Sequence, residues 1–192
     1  MASSERRTLQ LTDPRAMRAL AHPLRLRLLG ELRMRGPQSV GMLSTIVDEA
    51  PASVSYHMGT LASHGFVEPA PEHARDRRER WWRAAHDITS WEPLDALDDP
   101  ERWAASDVLR RAILRRYLDS LEGYLATEPT LPREWVAGTA SSDELLHLTA
   151  DELVELRADL EQLASRWRAR SDATRPDARH VSLIYHAFRR AE

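Results

Sequence analysis

Residues 52–67, Ala-Ser-Val-Ser-Tyr-His-Met-Gly-Thr-Leu-Ala-Ser-His-Gly-Phe-Val, constrain this chain more than any other stretch. Val54, Met58, Leu61 and Ala62 keep the 3, 4 spacing of one buried helical stripe. Ser53, Ser55, Tyr56 and His57 crowd the helix start, and Thr60 stands one turn beyond Tyr56. Gly65 occupies the place of a helix C-cap, and Phe66-Val67 opens an extended segment. A helix with hydrogen-bonding groups gathered at its N-terminal end suits insertion into the major groove of DNA.

The preceding residues fit the same plan. Asp13-Pro14 is a helix start, an N-cap followed by Pro at the first helical position, and Met17 and Leu20 give a short apolar face. Pro23 breaks and restarts the helix. The second helix points Leu24, Leu28, Leu29 and Leu32 inward and Arg25, Arg27, Arg33 and Arg35 outward, and Gly36-Pro37 ends it. A third helix, residues 40–47, has Met42, Leu43, Ile46 and Val47 as its apolar set, and Asp48-Glu49-Ala50-Pro51 turns into the helix of residues 52–64. Two short helices joined by a tight turn, the second polar at its start, make a helix-turn-helix. A β-ribbon is expected next, with Phe66-Val67-Glu68 as one arm and Glu79 or Arg80 through Ala84 as the other. Arg75, Arg77 and Arg78 stand near its tip, where they meet phosphates or a narrow minor groove, or form an ordinary solvated loop. Of the paired Trp81-Trp82, one ring is expected in the core and one at the surface.

Residues 13–85 resemble the winged-helix DNA-binding domain of the ArsR-type bacterial transcription regulators. The resemblance is carried by Ala19-Leu20-Ala21-His22-Pro23-Leu24-Arg25-Leu26-Arg27-Leu28-Leu29, by Ser53-Val54-Ser55-Tyr56-His57-Met58 with Leu61, and by His64-Gly65-Phe66-Val67. It covers under half of the chain. It implies a dimeric, cytoplasmic repressor that binds an inverted-repeat operator. Metal-sensing members of that family use cysteine thiolates. This chain has no Cys, so that behaviour does not carry over.

Composition narrows the remaining classes. A chain of 192 residues holds one or two small domains with cores. No apolar run approaches the ~20 residues that span a bilayer. Residues 1–10 are polar without an apolar h-region, so they are expected to be a flexible lead-in, not a secretory signal. Absence of Cys fits the cytosol. Residues 1–85 carry 13 Arg against 9 acids, a net +4, and residues 86–192 carry 14 Arg against 21 acids, a net −7. The anion-binding surface therefore belongs to the front half.

The rear half has fewer signals. Residues 91–105 read as a linker with two prolines and several acids. Ser106-Asp107 is expected to cap a helix to about residue 126, with Leu109, Ile113, Tyr117, Leu121 and Leu125 every four positions. Thr149-Ala150-Asp151-Glu152 is a capping box. Leu153, Leu156, Leu160, Leu163 and Trp167 then follow a seam of about two heptads. Residues 144–148 read as extended, and residues 180–188 alternate Val181, Leu183, Tyr185 and Ala187 as a strand does.

The fold expected is mainly α with small β (α+β). Residues 1–12 form a flexible N-terminus, 13–90 a winged helix-turn-helix, 91–105 a linker, and 106–192 a helical domain with short strands for dimerisation or sensing. The function expected is a sequence-specific regulator of transcription that binds a double-stranded DNA operator as a homodimer. Ser53, Ser55, Tyr56, His57 and Thr60 would contact bases and phosphates, aided by Arg25 and the wing arginines. Tyr56 has a rival role in packing, and His64 reads as a helix-end residue near the carbonyl dipole. The alternative of another class is a winged-helix adaptor for protein, which would expose apolar anchors where this face offers Ser, Tyr, His and Arg. Catalysis is not expected: the chain has no Gly-rich phosphate loop, nucleophile elbow or Cys nucleophile. No cofactor or dedicated metal site is expected, since His180 and His186 on a strand would stand about 20 Å apart at about 3.3 Å per residue. A small apolar effector could sit among Trp91, Trp103, Trp135 and Trp167, although core and dimerisation explain these rings as well.

Overall fold

The structure is a computed structural model that describes residues 6–190 except 75, 77 and 78. The chain divides into two compact units, Met1–Ala126 and Thr127–Glu192. In the first, a short strand β1 (Thr8–Gln10) precedes α1 (Pro14–Leu20), α2 (Pro23–Arg35), β2 (Gln38–Ser39), α3 (Val40–Val47) and α4 (Pro51–Ser63). Strands β3 (Val67–Pro69), β4 (Trp81–Ala84) and β5 (Ile88–Ser90) follow, then the long helix α5 (Pro100–Thr127).

Four of the helix starts, those of α1, α2, α3 and α5, share one chemistry. The Asp13 carboxylate accepts from the Arg15 N–H at 2.9 Å, and the His22 Nδ1 accepts from the Leu24 N–H at 3.2 Å, each ahead of a proline at the first helical position. Asp99 does the same for α5, accepting from the Arg102 N–H at 3.0 Å just before Pro100. Ser39 caps α3 through Met42 N–H at 3.3 Å. Arg27 of α2 closes the other end of α3, donating to the Val47 and Ile46 carbonyls at 2.9 Å each. A cation on terminal carbonyls satisfies their hydrogen bonds and the helix dipole together.

These helices bury one core. Leu28, Leu29 and Leu32 of α2, Leu43 and Val47 of α3, and Val54, Met58 and Leu61 of α4 meet Leu20, Phe66 and Val67. The wing is antiparallel in the order β2-β4-β3, with Glu68 opposite Arg83 and Pro69 opposite Trp82. Trp82 packs on the core and Trp81 stacks on the His73 ring, but both are half-buried, so neither the fully buried nor the surface indole that was expected is found.

Several sequence expectations differ from what forms. The N-terminal residues do not all lead in loosely: β1 pairs in parallel with β5, Leu9 opposite Thr89, and Leu11 is buried. Residues 91–105 are more than a linker. Trp91 packs on the core, Ala96 is buried in a 3-10 turn (Pro93–Ala96), and α5 starts at Pro100, where Asp99 outcompetes Ser106 as cap. Ser106 is instead buried in mid-helix beside Ala105 and Leu109, which join the first unit's core. The first half of α5 thus belongs to the winged-helix unit. Arg116 fixes it there, laying its guanidinium against Gly30 of α2 and donating to the Leu26 carbonyl. A Cβ at position 30 would collide with that guanidinium.

The second unit contains α6 (Arg133–Ala137) and α7 (Ala150–Arg170). The capping box forms in full: Glu152 N–H donates to Thr149 Oγ1 at 3.3 Å and Thr149 N–H donates to the Glu152 carboxylate at 2.7 Å. Residues 144–148 and 180–188 form no strand and are exposed throughout. Alternation alone does not make a strand, because its amides need a neighbouring edge to satisfy them. No described residue beyond Ala112 is buried.

Candidate nucleic-acid interface

The buried stripe of α4 fixes which of its residues face outward. Val54, Met58 and Leu61 are fully buried, and Tyr56, on the opposite side, is 69% exposed. Ser53, Ser55 and Thr60 flank Tyr56 and are half-buried. The Thr60 hydroxyl donates to the Tyr56 carbonyl at 3.2 Å, which leaves its oxygen lone pairs facing out as acceptors. Ala50 at the N-cap offers no side-chain hydrogen bond, and Pro51 follows at the first helical position. The first-turn amides therefore carry the positive end of the helix with no side chain upon them.

His57 corrects an expectation. Its ring is 9% exposed and faces α2, not the outer face. The reason was present in the spacing: His57 lies three residues after Val54 and four before Leu61, the interval of the buried stripe itself. Its ring centroid lies 4.5 Å from that of His22, and its Nδ1 lies 3.3 Å from Arg25 Nη1. Arg25 is half-buried and its Nε donates to the Ala19 carbonyl, so this guanidinium joins α1, α2 and α4 at the edge of the outward face. Burial, then the neighbouring Arg25, holds the His22 imidazole below its ordinary pKa. Burial, then His22 and Arg25, does the same for His57. Burial lowers the Arg25 pKa as well.

The wing arginines Arg75, Arg77 and Arg78 lie outside the described residues. Arg83, in β4, is engaged: it bridges Glu68 at 2.8 Å and Glu72 at 2.5 Å, which raises its pKa, and its charge is more than offset by the two carboxylates. Arg80 is exposed at the foot of β4. The sequence signal for it is the arginine-rich run of residues 75–80, which the strand pattern of residues 80–84 masks. The other outward arginines of α2 also have structural partners. Arg27 caps α3, Arg33 donates to the His86 carbonyl at 3.1 Å and Thr89 Oγ1 at 2.8 Å, and Arg35 pairs with Glu31 at 2.7 Å.

Trp91 packs on the first unit's core, Trp103 is exposed on α5, and Trp135 and Trp167 are exposed in the second unit. Among the described residues no group of three or more His, Cys, Asp or Glu is placed to hold a metal ion. No described helix is long and apolar enough to cross a membrane.

Residues 20–70, from the last residue of α1 to just beyond β3, match the family model described as a Helix-turn-helix domain. Within it, α3 and α4, joined by residues 48–50, are arranged as helix, turn and helix. The resemblance to ArsR-type regulators read from residues 13–85 rests on the same helices, and the wing's second strand lies beyond the matched part of the helix-turn-helix domain. No curated protein sequence matches the chain. Among solved structures, the chain is similar to an ArsR family transcriptional regulator at 24% identity, covering 59% of this chain and 96% of that one with a TM-score of 0.32. It is also similar to a mutant MarR from E. coli at 14% identity, over 73% of this chain and 75% of that one, TM-score 0.31. The same mutant complexed with operator DNA gives 15% identity, 78% and 83% coverage, and a TM-score of 0.31.

Proposed function

We propose that this protein is a sequence-specific DNA-binding regulator of transcription. The observation that carries the reading is the outward face of α4. A 69% exposed Tyr56 stands among Ser53, Ser55 and Thr60, directly opposite a fully buried stripe. Such a face offers hydrogen-bond donors and acceptors of the kind that read base edges. The uncapped first turn of α4, Arg25 at its flank and Arg80 at the foot of the wing supply the groups that hold phosphates. The wing-tip arginines 75, 77 and 78 are assigned to phosphate or minor-groove contact on their sequence alone.

The protein acts as a homodimer on an inverted repeat, with two copies of α4 about one helical turn, ~34 Å, apart. What supports this is the far part of α5, where Leu114, Leu118, Leu121 and Leu125 are 45–59% exposed at helical spacing. Repression and a cytoplasmic setting follow from the ArsR-type resemblance. A small apolar effector is compatible with this reading. The adaptor alternative lacks support on α4, whose outer face presents no Leu, Ile, Phe or Trp.

The test is selection of duplexes from a random pool by the purified protein, followed by gel-shift titration. Enrichment of a two-fold symmetric site, with affinity that falls linearly in log salt, is the expected result. Tyr56→Ala should erase the preference for that site while leaving the fold intact. Recovery of no preferred sequence would reject the assignment.

A further inference from the structure

We propose that His57, together with His22 and Arg25, is a positioning cluster for the reading face: two neutral imidazoles lock α4 onto α2 and hold Tyr56 and Arg25 in one pose. This rests on the DNA-binding reading above and deepens it.

Hydrogen-bond chemistry fixes the protons. A guanidinium has only donors, so at 3.3 Å from Arg25 Nη1 the His57 Nδ1 must accept, and its proton sits on Nε2. The His22 Nδ1 accepts from the Leu24 N–H as the N-cap of α2, so its proton also sits on Nε2. Both rings are therefore needed in one neutral tautomer. The second nitrogen of Arg25 in use, Nε, is held by the Ala19 carbonyl at the end of α1. On the other side of His57, the Tyr56 ring meets the imidazole edge-on, centroids 5.2 Å apart and planes at 74°. One chain of contacts thus runs from the α1 terminus through Arg25 and His57 to the most exposed side chain of the reading face.

The groups facing the pair are His22 from the α1–α2 junction, Arg25 from α2, Glu49 from the turn before α4 and Tyr56 from α4 itself. Glu49 favours protonation; burial first and then Arg25 oppose it for both rings, joined for His57 by the resistance of His22 to a second charge, and they prevail. As pH falls below the ordinary 6.5, the unfolded chain takes up protons that the folded cluster resists, so stability declines across that window and levels off below the lowered pKa values. A proton that does enter sets donor against donor, at Arg25 for His57 and at the Leu24 N–H for His22. A histidine that touched phosphate would act in the opposite sense, tightening DNA binding in acid.

The experiment uses a duplex enriched by the wild-type protein and a shuffled duplex of equal composition. Affinities for both are measured at about pH 7.5 and about pH 5.5, either side of the ordinary histidine range. Circular dichroism at each pH reports whether the chain stays folded. The wild-type preference between the two duplexes should shrink about tenfold at the lower pH, the size of one lost base contact. The double variant His22→Asn with His57→Asn should keep its preference at both pH values. Its amide oxygens accept as the imidazoles do, Asn is a good N-cap, and neither side chain titrates. His57→Leu should lose preference even at the higher pH. A wild-type preference that is flat or grows in acid, or a double variant that loses preference as the wild type does, overturns the proposal. Failure to enrich any duplex defeats the DNA-binding reading itself, which is a separate result.

Discussion

Helix α4 begins at Ala50 with no side-chain cap and carries Gly59 near its middle, yet Val54, Met58 and Leu61 are fully buried. Helix α7 begins with a complete capping box and carries an Arg157–Glu161 pair at 2.8 Å, yet none of its residues is buried. The first is poor in local helix signals and rich in tertiary ones; the second is the reverse. A helix clamped by its core can leave its outward face to be chosen for binding. A helix made by local signals alone keeps an apolar edge, here Leu153, Leu156, Leu160 and Leu163, only half-covered.

The sharpest way to break that contrast is to truncate one leucine in each helix. Leu61→Ala should cost about 2–5 kcal/mol in urea unfolding, and Leu156→Ala much less. Equal costs would mean that α7 is covered as fully as α4. Next in size, Thr149→Ala should cost about 1 kcal/mol of helix in the second unit, seen as lost helical circular dichroism. Gly59→Ala should act the other way. A Cβ there meets nothing within 4 Å, so the fold should gain about 0.5–1 kcal/mol in unfolding experiments. The same methyl stands on the exposed side of α4, so gel-shift affinity for the selected duplex should weaken while stability rises. The smallest effect is a pH dependence. The Glu152 carboxyl, accepting from the Thr149 N–H and then its hydroxyl, is held below the usual 4.5. The stability it lends is present above that value and is lost as pH falls through the lowered one. Helicity of α7 should therefore decline in that acid window, and Glu152→Gln should flatten the dependence.

Much of the front unit was legible because its signals are local and agree with one another. Asp13-Pro14, the 3, 4 stripe of residues 54–61 and Gly65, whose φ of 73° needs no Cβ, each specify a piece of geometry by themselves. Asp99-Pro100 is an equally local signal and displaces Ser106 as the cap, because Ser106 and its neighbours Ala105 and Leu109 are buried. Strand β1 was not legible. Three residues pair with three others about 80 positions away, and no short-range pattern marks such a partner. The strand expected at residues 180–188 failed for the converse reason, a local pattern with no edge to join. In the candidate site, Tyr56 stands on the outer face and His57 does not, because the interval to Val54 and Leu61, not polarity, decides its side. The engagement of Arg27, Arg33 and Arg83 could not be read at all, since each partner is distant in sequence or across a strand pair.

The slot at Gly30 has a mechanical corollary. A glycine within a helix ordinarily marks weakness, but here it is a keyhole, and the Arg116 guanidinium is the key. Turning α5 about its axis by a single residue, about 100°, would withdraw that key. The azimuth of the outer leucines on α5 is thereby clocked to α2, and through α2 to α4. Any second copy seated on those leucines would take part of its bearing on α4 from the room left at Gly30.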